Sequence, residues 1–221
     1  MTRTVSEAAP YERLVRHLSR LDRGQLAGLR RSLGDDRPGQ SVPWLAGLFL
    51  RAGLGQPAQR QWQALALVAG LYALVERPEG APEEGEPAPP TKRDSFGWTF
   101  GGLYLAQDQR PSTEKRFLAL LDADMDALPY ALRQAVTLLH ADDRKPDWVQ
   151  LLRDVNLWDH DPAGDDIRRR WARDFYRSAE RTPEAQAPAD APTTAERPEQ
   201  PPRPAPRPAP TLFDEEGDET L

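Results

Sequence analysis

The chain contains no cysteine, so disulfides, thiolate metal sites and cysteine nucleophiles are excluded at once. Its three histidines, His17, His140 and His160, are isolated from one another, and none has the spacing by which one helix face holds zinc. No apolar run approaches the ~20 residues that a membrane crossing needs. The longest candidate, residues 64–75, is short and continues directly from polar residues. The N-terminal stretch MTRTVSEAAP lacks the apolar segment of a secretory signal. A cytoplasmic protein without membrane attachment is therefore expected. There is no glycine-rich phosphate loop, no GxSxG elbow and no Ser/His/Asp grouping. Asn-Gly and Asp-Gly hairpin dipeptides are absent, and no segment alternates with period two over a useful length. The chain reads as all-α and non-enzymatic, with no cofactor or metal assigned.

What is present is unevenly distributed. The formal net charge is −6, yet residues 1–177 hold 25 Lys/Arg and 25 Asp/Glu, so the whole excess lies in residues 178–221. Residues 79–86 alone carry four glutamates and no base. Outside these two acidic stretches the body is mildly basic, which is compatible with nucleic-acid binding. Residues 77–90 (RPEGAPEEGEPAPP) have five prolines and no large apolar side chain, the composition of a linker. Ten of the 23 prolines fall between Pro183 and Pro210, which suits extended polyproline II. The expected organisation is an N-terminal helical part (1–76), an acidic linker (77–93), a C-terminal helical part with a basic face (94–178) and a disordered acidic tail (179–221). The tail ends in TLFDEEGDETL, whose Leu212 and Phe213 read either as a docking motif or as part of a solvating terminus. Its acidity would compete with nucleic acid for a basic face.

The helical pattern is clear from apolar spacing. Leu14, Val15, Leu18 and Leu21 mark a first helix; Asp22, with Gln25 three residues on, forms a capping-box pattern for a second, and Gly34 reads as its stop. Residues 57–75 are apolar nearly all round and read as the central core helix. In SFGWTFGGLYLA, Gly97 and Gly101 lie four apart on one face, where close backbone approach is the preferred reading. Ser112 reads as a cap, Pro129 and Pro146 as first-turn residues, and Asp165 or Asp166 as the cap of a last helix.

That last helix carries the densest chemistry. IRRRWARDFY (167–176) and the following Arg177 place five arginines among three large aromatics. At about 100° per residue, Ile167, Trp171 and Phe175 share one face of a helix. Arg169, Arg170, Arg173 and Arg177 share the opposite one, whereas Arg168 projects towards the aromatic side. A permanently charged, planar guanidinium suits phosphate, and a solvated helix face is the plain alternative. Further cations recur along the chain at Arg23, Arg30, Arg31, Lys115, Arg116, Arg144 and Lys145. Dispersed cations on a helical scaffold suit backbone contact rather than base reading. Asp159, His160 and Asp161 could be imagined as a metal site but sit beside Pro162 and Gly164, where turn chemistry accounts for them. Asp122, Asp124 and Asp126 read as caps and solvated acids. A metal-dependent hydrolase built on these aspartates is the weakest reading.

Taken in order, DRGQLAGLRRSLG, SFGWTFGGLYLA, STEKRFLALLDADMDALPYALRQAVTLLH, DWVQLLRDVNLW and IRRRWARDFY resemble the small subunit (CasB) of the type I-E CRISPR effector complex, Cascade. The resemblance spans about residues 14–176 and leaves out the proline-rich tail. It implies an all-helical, non-enzymatic subunit that associates head to tail with a second copy. It also implies contact with the other Cascade subunits and the CRISPR guide RNA, and a role in holding target DNA opened by the guide in antiviral defence. The basic positions it singles out are Arg30, Arg31, Lys115, Arg116, Arg133, Arg169, Arg170 and Arg173, to which the helix spacing adds Arg177. The competing expectation is a protein-interaction scaffold whose arginines pair with acids such as Asp165, Asp166 and Asp174.

Overall fold

The computed structural model describes residues 8–76 and 94–180. Among them are nine helices and no strand: α1 (Ala9–Ser19), α2 (Arg23–Ser32), α3 (Leu45–Ala52), α4 (Gln59–Val75), α5 (Phe96–Ala106), α6 (Pro111–Leu121), α7 (Leu128–Ala141), α8 (Trp148–Asn156) and α9 (Ala163–Ala179). The linker (77–93) and residues 181–221 of the expected tail, including Leu212 and Phe213, lie outside the described residues, whereas Ala179 ends α9 and Glu180 is its C-cap. Among the described residues no helix is long and apolar enough to cross a membrane.

Helix α4 owes its central place to its composition. Every residue from Ala64 to Ala73 is buried, as an all-round apolar helix requires. Its small side chains let neighbours close in. A Cβ at Gly70 would meet Leu33 Cδ2 at 2.6 Å and the carbonyl of Leu29 at 3.2 Å, so α2 rests directly on the α4 backbone. Helices α1, α7 and α8 also pack on α4, and one continuous core joins residues from both sides of the linker.

The second close contact is between α5 and α9. Gly97 faces the carbonyl of Trp171 and Gly101 that of Phe175, each so near that a Cβ would overlap it. Two glycines one turn apart on α5 thus seat two aromatics one turn apart on α9. Around this seam Phe96, Phe100, Phe117, Trp171 and Phe175 form a ring-to-ring column, in which Phe117 stacks on Phe175 at 4.3 Å between centroids. Burying one such side chain stabilises the fold by ~1.5–3 kcal/mol, and each aromatic pair adds ~0.5–1.5 kcal/mol.

The expected capping box at Asp22 and Gln25 forms in both directions, and Pro129 lies in the first turn of α7. Other boundaries differ from the sequence reading. Helix α6 begins at Pro111 with Arg110 before it, so Ser112 lies inside rather than capping. Proline supplies the φ that a first turn needs and forfeits only an orphan N–H, which makes a side-chain cap dispensable. Asp147, not Pro146, opens α8, its carboxylate accepting from the Gln150 N–H at 2.9 Å. Helix α9 begins at Ala163. Asp165 and Asp166 therefore occupy its first turn, where they favour the helix dipole without capping it. Gly34 is not a left-handed stop; α2 ends on Leu33 in right-handed geometry.

Candidate nucleic-acid interface

The arginine helix is held rigidly on its apolar side. Ile167, Trp171 and Phe175 are buried. Arg168 joins them. Its guanidinium lies 4.5 Å over the Trp158 ring, and its Nε donates to the Leu121 carbonyl at 3.1 Å. Trp158 is itself fixed by an Nε1–H bond to the Ala123 carbonyl at 2.9 Å. Arg168 is thus a packing residue, as its helix position implied.

At the other end of α9 the Tyr176 hydroxyl donates to Glu114 Oε1 of α6 at 2.9 Å, and Tyr104 of α5 donates to Oε2 at 3.5 Å. The pKa of each phenol is raised, by the Glu114 hydrogen bond first at Tyr176 and by burial first at Tyr104. Both remain protonated donors, and three helices meet on one carboxylate.

The four arginines of the outward stripe have different surroundings. Arg169 donates to Asp166 Oδ1 at 2.7 Å, with both side chains more than 60% exposed; that hydrogen bond raises the Arg169 pKa further. Arg173 lies 3.5 Å from Asp174 Oδ1 and is well exposed. Arg177 is exposed, with no ion-pair partner among the described residues. Arg170 differs from all three: its Nη2 donates to Oδ1 of Asp154, a carboxylate only 2% exposed.

Asp154 is the residue that sequence reasoning missed. It sits on the buried side of α8 and accepts from Gln150 Nε2 and from Trp171 Nε1, each at 2.7 Å, besides Arg170. Three donors meet the hydrogen-bonding needs of a carboxylate taken out of water. Its trace in the sequence was an acid set among Leu151, Leu152 and Val155, which are all core residues. Arg170 is consequently a tether between α9 and α8, only partly presented to solvent.

The remaining predicted positions lie on other helices. Lys115 and Arg116 are exposed on α6, and Arg133 is exposed on α7, which packs against α6. On α2, Arg31 is exposed. Arg30, exposed too, reaches back to the end of α4, where Nε donates to the Ala73 carbonyl and Nη2 to that of Glu76 at 3.5 Å. Cations near a helix C-terminus satisfy its orphan carbonyls. Of the other basic residues noted in the sequence, Arg144 pairs with Asp142 and Lys145 with Glu76, both at 2.7 Å. The described residues contain no group of three or more His, Asp or Glu able to share a metal ion. Asp159, His160 and Asp161 lie in the turn before α9.

What results is a rigid helical body with arginines held at fixed positions and only weakly satisfied. The Arg169–Asp166 and Arg173–Asp174 pairs are local and exposed, a class worth ~0–1 kcal/mol. A phosphate could replace either acid at little cost.

Comparison with known proteins places this arrangement. Residues 25–176 match the family model described as CRISPR-associated protein Cse2. The chain is 33% identical over 178 residues to the CRISPR-associated protein Cse2 of Thermus thermophilus, covering 76% of this chain and 90% of the relative. The crystal structure of M. ruber CasB is similar with a TM-score of 0.65 and 35% identity, over 78% of this chain and 95% of that one. CasB from Thermus thermophilus matches with a TM-score of 0.56 and 32% identity, over 76% and 99%. The same fold occurs in a chain of a CRISPR RNA-guided surveillance complex, at a TM-score of 0.60 and 21% identity over 78% and 95%. With a family model spanning most of its helical body and relatives above 30% identity along nearly their whole length, the chain belongs to the CRISPR-associated Cse2 (CasB) family.

Proposed function

We propose that this protein is a non-enzymatic structural subunit of an RNA-guided CRISPR surveillance complex and grips nucleic-acid backbone there. It sits beside the other Cascade subunits and the guide RNA, paired head to tail with a second copy, and stabilises target DNA that the guide has opened. The observation that carries the reading is the solvent side of α9. Arg169, Arg173 and Arg177 project from a helix whose opposite face is locked into an aromatic core. Fixed cations track phosphates without reading bases, and base pairing by the guide supplies the sequence specificity. Lys115, Arg116, Arg133 and Arg31 are further exposed cations available to phosphate. Arg30 and Arg170 contribute mainly by holding helices in place, since both are engaged within the fold.

The alternative scaffold reading has support of its own: Asp165, Asp166 and Asp174 each lie within ion-pair distance of an arginine, namely Arg168, Arg169 and Arg173. Exposed pairs of this kind are weak enough to be exchanged for phosphate, so they do not separate the two readings. Charge reversal does. Arg169, Arg173 and Arg177 are changed together to Glu, leaving Arg170 to hold Asp154, and target-DNA retention by the assembled complex is measured across a salt series. Phosphate binding by these arginines predicts weaker retention and a log–log salt slope shallower by ~0.7–0.9 for each phosphate no longer neutralised. Unchanged affinity with an unchanged slope would leave the scaffold reading standing.

A further inference from the structure

Helix α1 carries a second basic stripe on the far side of its apolar face. Arg13, Arg16, His17 and Arg20 are spaced i, i+3, i+4 and i+7 and therefore share one face. His17 stands among cations in space as well. Its pKa is lowered first by burial and then by Arg51, Arg20 and Arg16. Arg51 belongs to α3, and the two helices are clasped by Arg13, whose Nε donates to the Ala52 carbonyl at 2.8 Å. The result is a cationic collar across α1 and α3. Neither α3 nor the 53–58 segment contains an acid, and the only carboxylate on α1, Glu12, already has a partner.

The collar borders an apolar groove. Leu50, the residue before Arg51, is 66% exposed, the highest of any large aliphatic side chain among the described residues. With Ala46, Gly47, Pro57 and Trp62 it lines a groove of about 320 Å³. Arg51 Nη1 lies 3.4 Å from where a Cβ on Gly47 would be, so the cation forms the groove's rim. Trp62 is held edge-on against Phe49 at 5.0 Å, which fixes it as a wall of the groove.

A single-stranded nucleic acid would use stacking surfaces beside its cations. Here the most exposed anchor, Leu50, is aliphatic, and the ring that lines the groove, Trp62, is half-buried and held edge-on against Phe49. An apolar anchor beside a charged rim is the arrangement by which proteins bind one another's segments. We infer that the α1–α3 face is a docking surface for an acidic protein segment, one that places an apolar pair in the Leu50–Trp62 groove and its carboxylates on Arg16, Arg20 and Arg51. The inference goes beyond the phosphate reading of α9 and does not depend on it.

The test uses a labelled peptide of sequence TLFDEEGDETL, which joins one Leu-Phe pair to five carboxylates. The same sequence occurs at residues 211–221, so the protein used is the full chain with Leu212→Ser and Phe213→Ser, which removes its own copy of the apolar pair. Fluorescence anisotropy at low salt should detect binding that falls tenfold or more with Leu50→Asp, and likewise with Arg16→Glu plus Arg51→Glu. A peptide with Ser-Ser in place of Leu-Phe, or with Gln and Asn in place of its acids, should lose a similar factor. Leu50 and Arg51 are exposed, so an unchanged melting temperature verifies that each variant is folded. Glutamates at Arg169, Arg173 and Arg177 should leave peptide affinity unchanged. The proposal is overturned if the peptide does not bind, or if Leu50→Asp has no effect. It is equally overturned if single-stranded DNA displaces the peptide and DNA affinity falls with Arg16→Glu plus Arg51→Glu but not with Leu50→Asp, which would make the face a nucleic-acid surface.

Discussion

Removing the carboxylate of Asp154 should cost this fold more than removing any stripe arginine. In Asp154→Ala, Trp171 Nε1 loses its acceptor while the ring remains fully buried. An unsatisfied buried donor costs ~1–3 kcal/mol. Arg170 also loses its counter-ion. Breaking a fully buried pair costs ~3–5 kcal/mol, but the Arg170 side chain is 36% exposed, and solvent screening reduces its share to about 1–2 kcal/mol. Together the loss is about 3 kcal/mol. For a body of this size a kcal/mol shifts Tm by ~2–4 °C, so the variant should melt roughly 6–12 °C lower by circular dichroism at 222 nm. Arg170→Gln leaves Asp154 its bonds to Gln150 and Trp171 but removes its cationic partner, and should lose about 1–2 kcal/mol. The double variant should lose less than the two single losses added, because its second change removes a partner already stranded. A Tm within 2 °C of the parent for Asp154→Ala, or a larger loss for Arg170→Gln, would refute the assignment of Asp154 as the organising residue.

Gly97→Ala should destabilise by at least ~3 kcal/mol, the upper range for overpacking, because the added methyl overlaps backbone on α9 rather than a movable side chain; urea titration measures it. Trp158→Phe deletes the bond to the Ala123 carbonyl and shrinks the surface beneath Arg168, at a cost of about 1–2 kcal/mol in the same titration. His17 gives a pH signature. Its folded pKa lies below its unfolded value of 6.5, so the unfolded chain takes up the proton first as pH falls and stability drops. The loss begins near pH 6.5 and ends below the folded pKa. His17→Asn should remove that part of the slope, seen as a smaller Tm difference between pH 7 and pH 5 than in the parent.

Much of the fold was legible in the sequence because its signals are local. Apolar spacing gave the helices, the Asp22–Gln25 pair gave a cap, and the wheel of residues 167–177 separated Arg168 from Arg169, Arg173 and Arg177. Where local reading failed, a nearby alternative offered the same chemistry. Pro111 made Ser112 unnecessary, and a helix already started at Ala163 took Asp165 and Asp166 into its first turn. The candidate site was legible only in part. Arg170 has the same helix position as its neighbours in the stripe, yet its environment depends on a carboxylate 16 residues earlier on another helix.

By itself the sequence determined that this chain is helical, that α4 is enveloped, and that α9 has one face for the core and one for charge, since periodicity and permanent arginine charge need no partner to be read. Only the tertiary structure decided which cations are spent inside the fold. Arg30 on the end of α4, Arg168 over Trp158 and Arg170 on Asp154 are fixed by groups distant in the chain. The same holds for Gly97 and Gly101, whose missing side chains acquire meaning only from the α9 backbone laid against them. Charge and periodicity belong to a residue and its helix, whereas burial and pairing belong to the neighbours that folding brings.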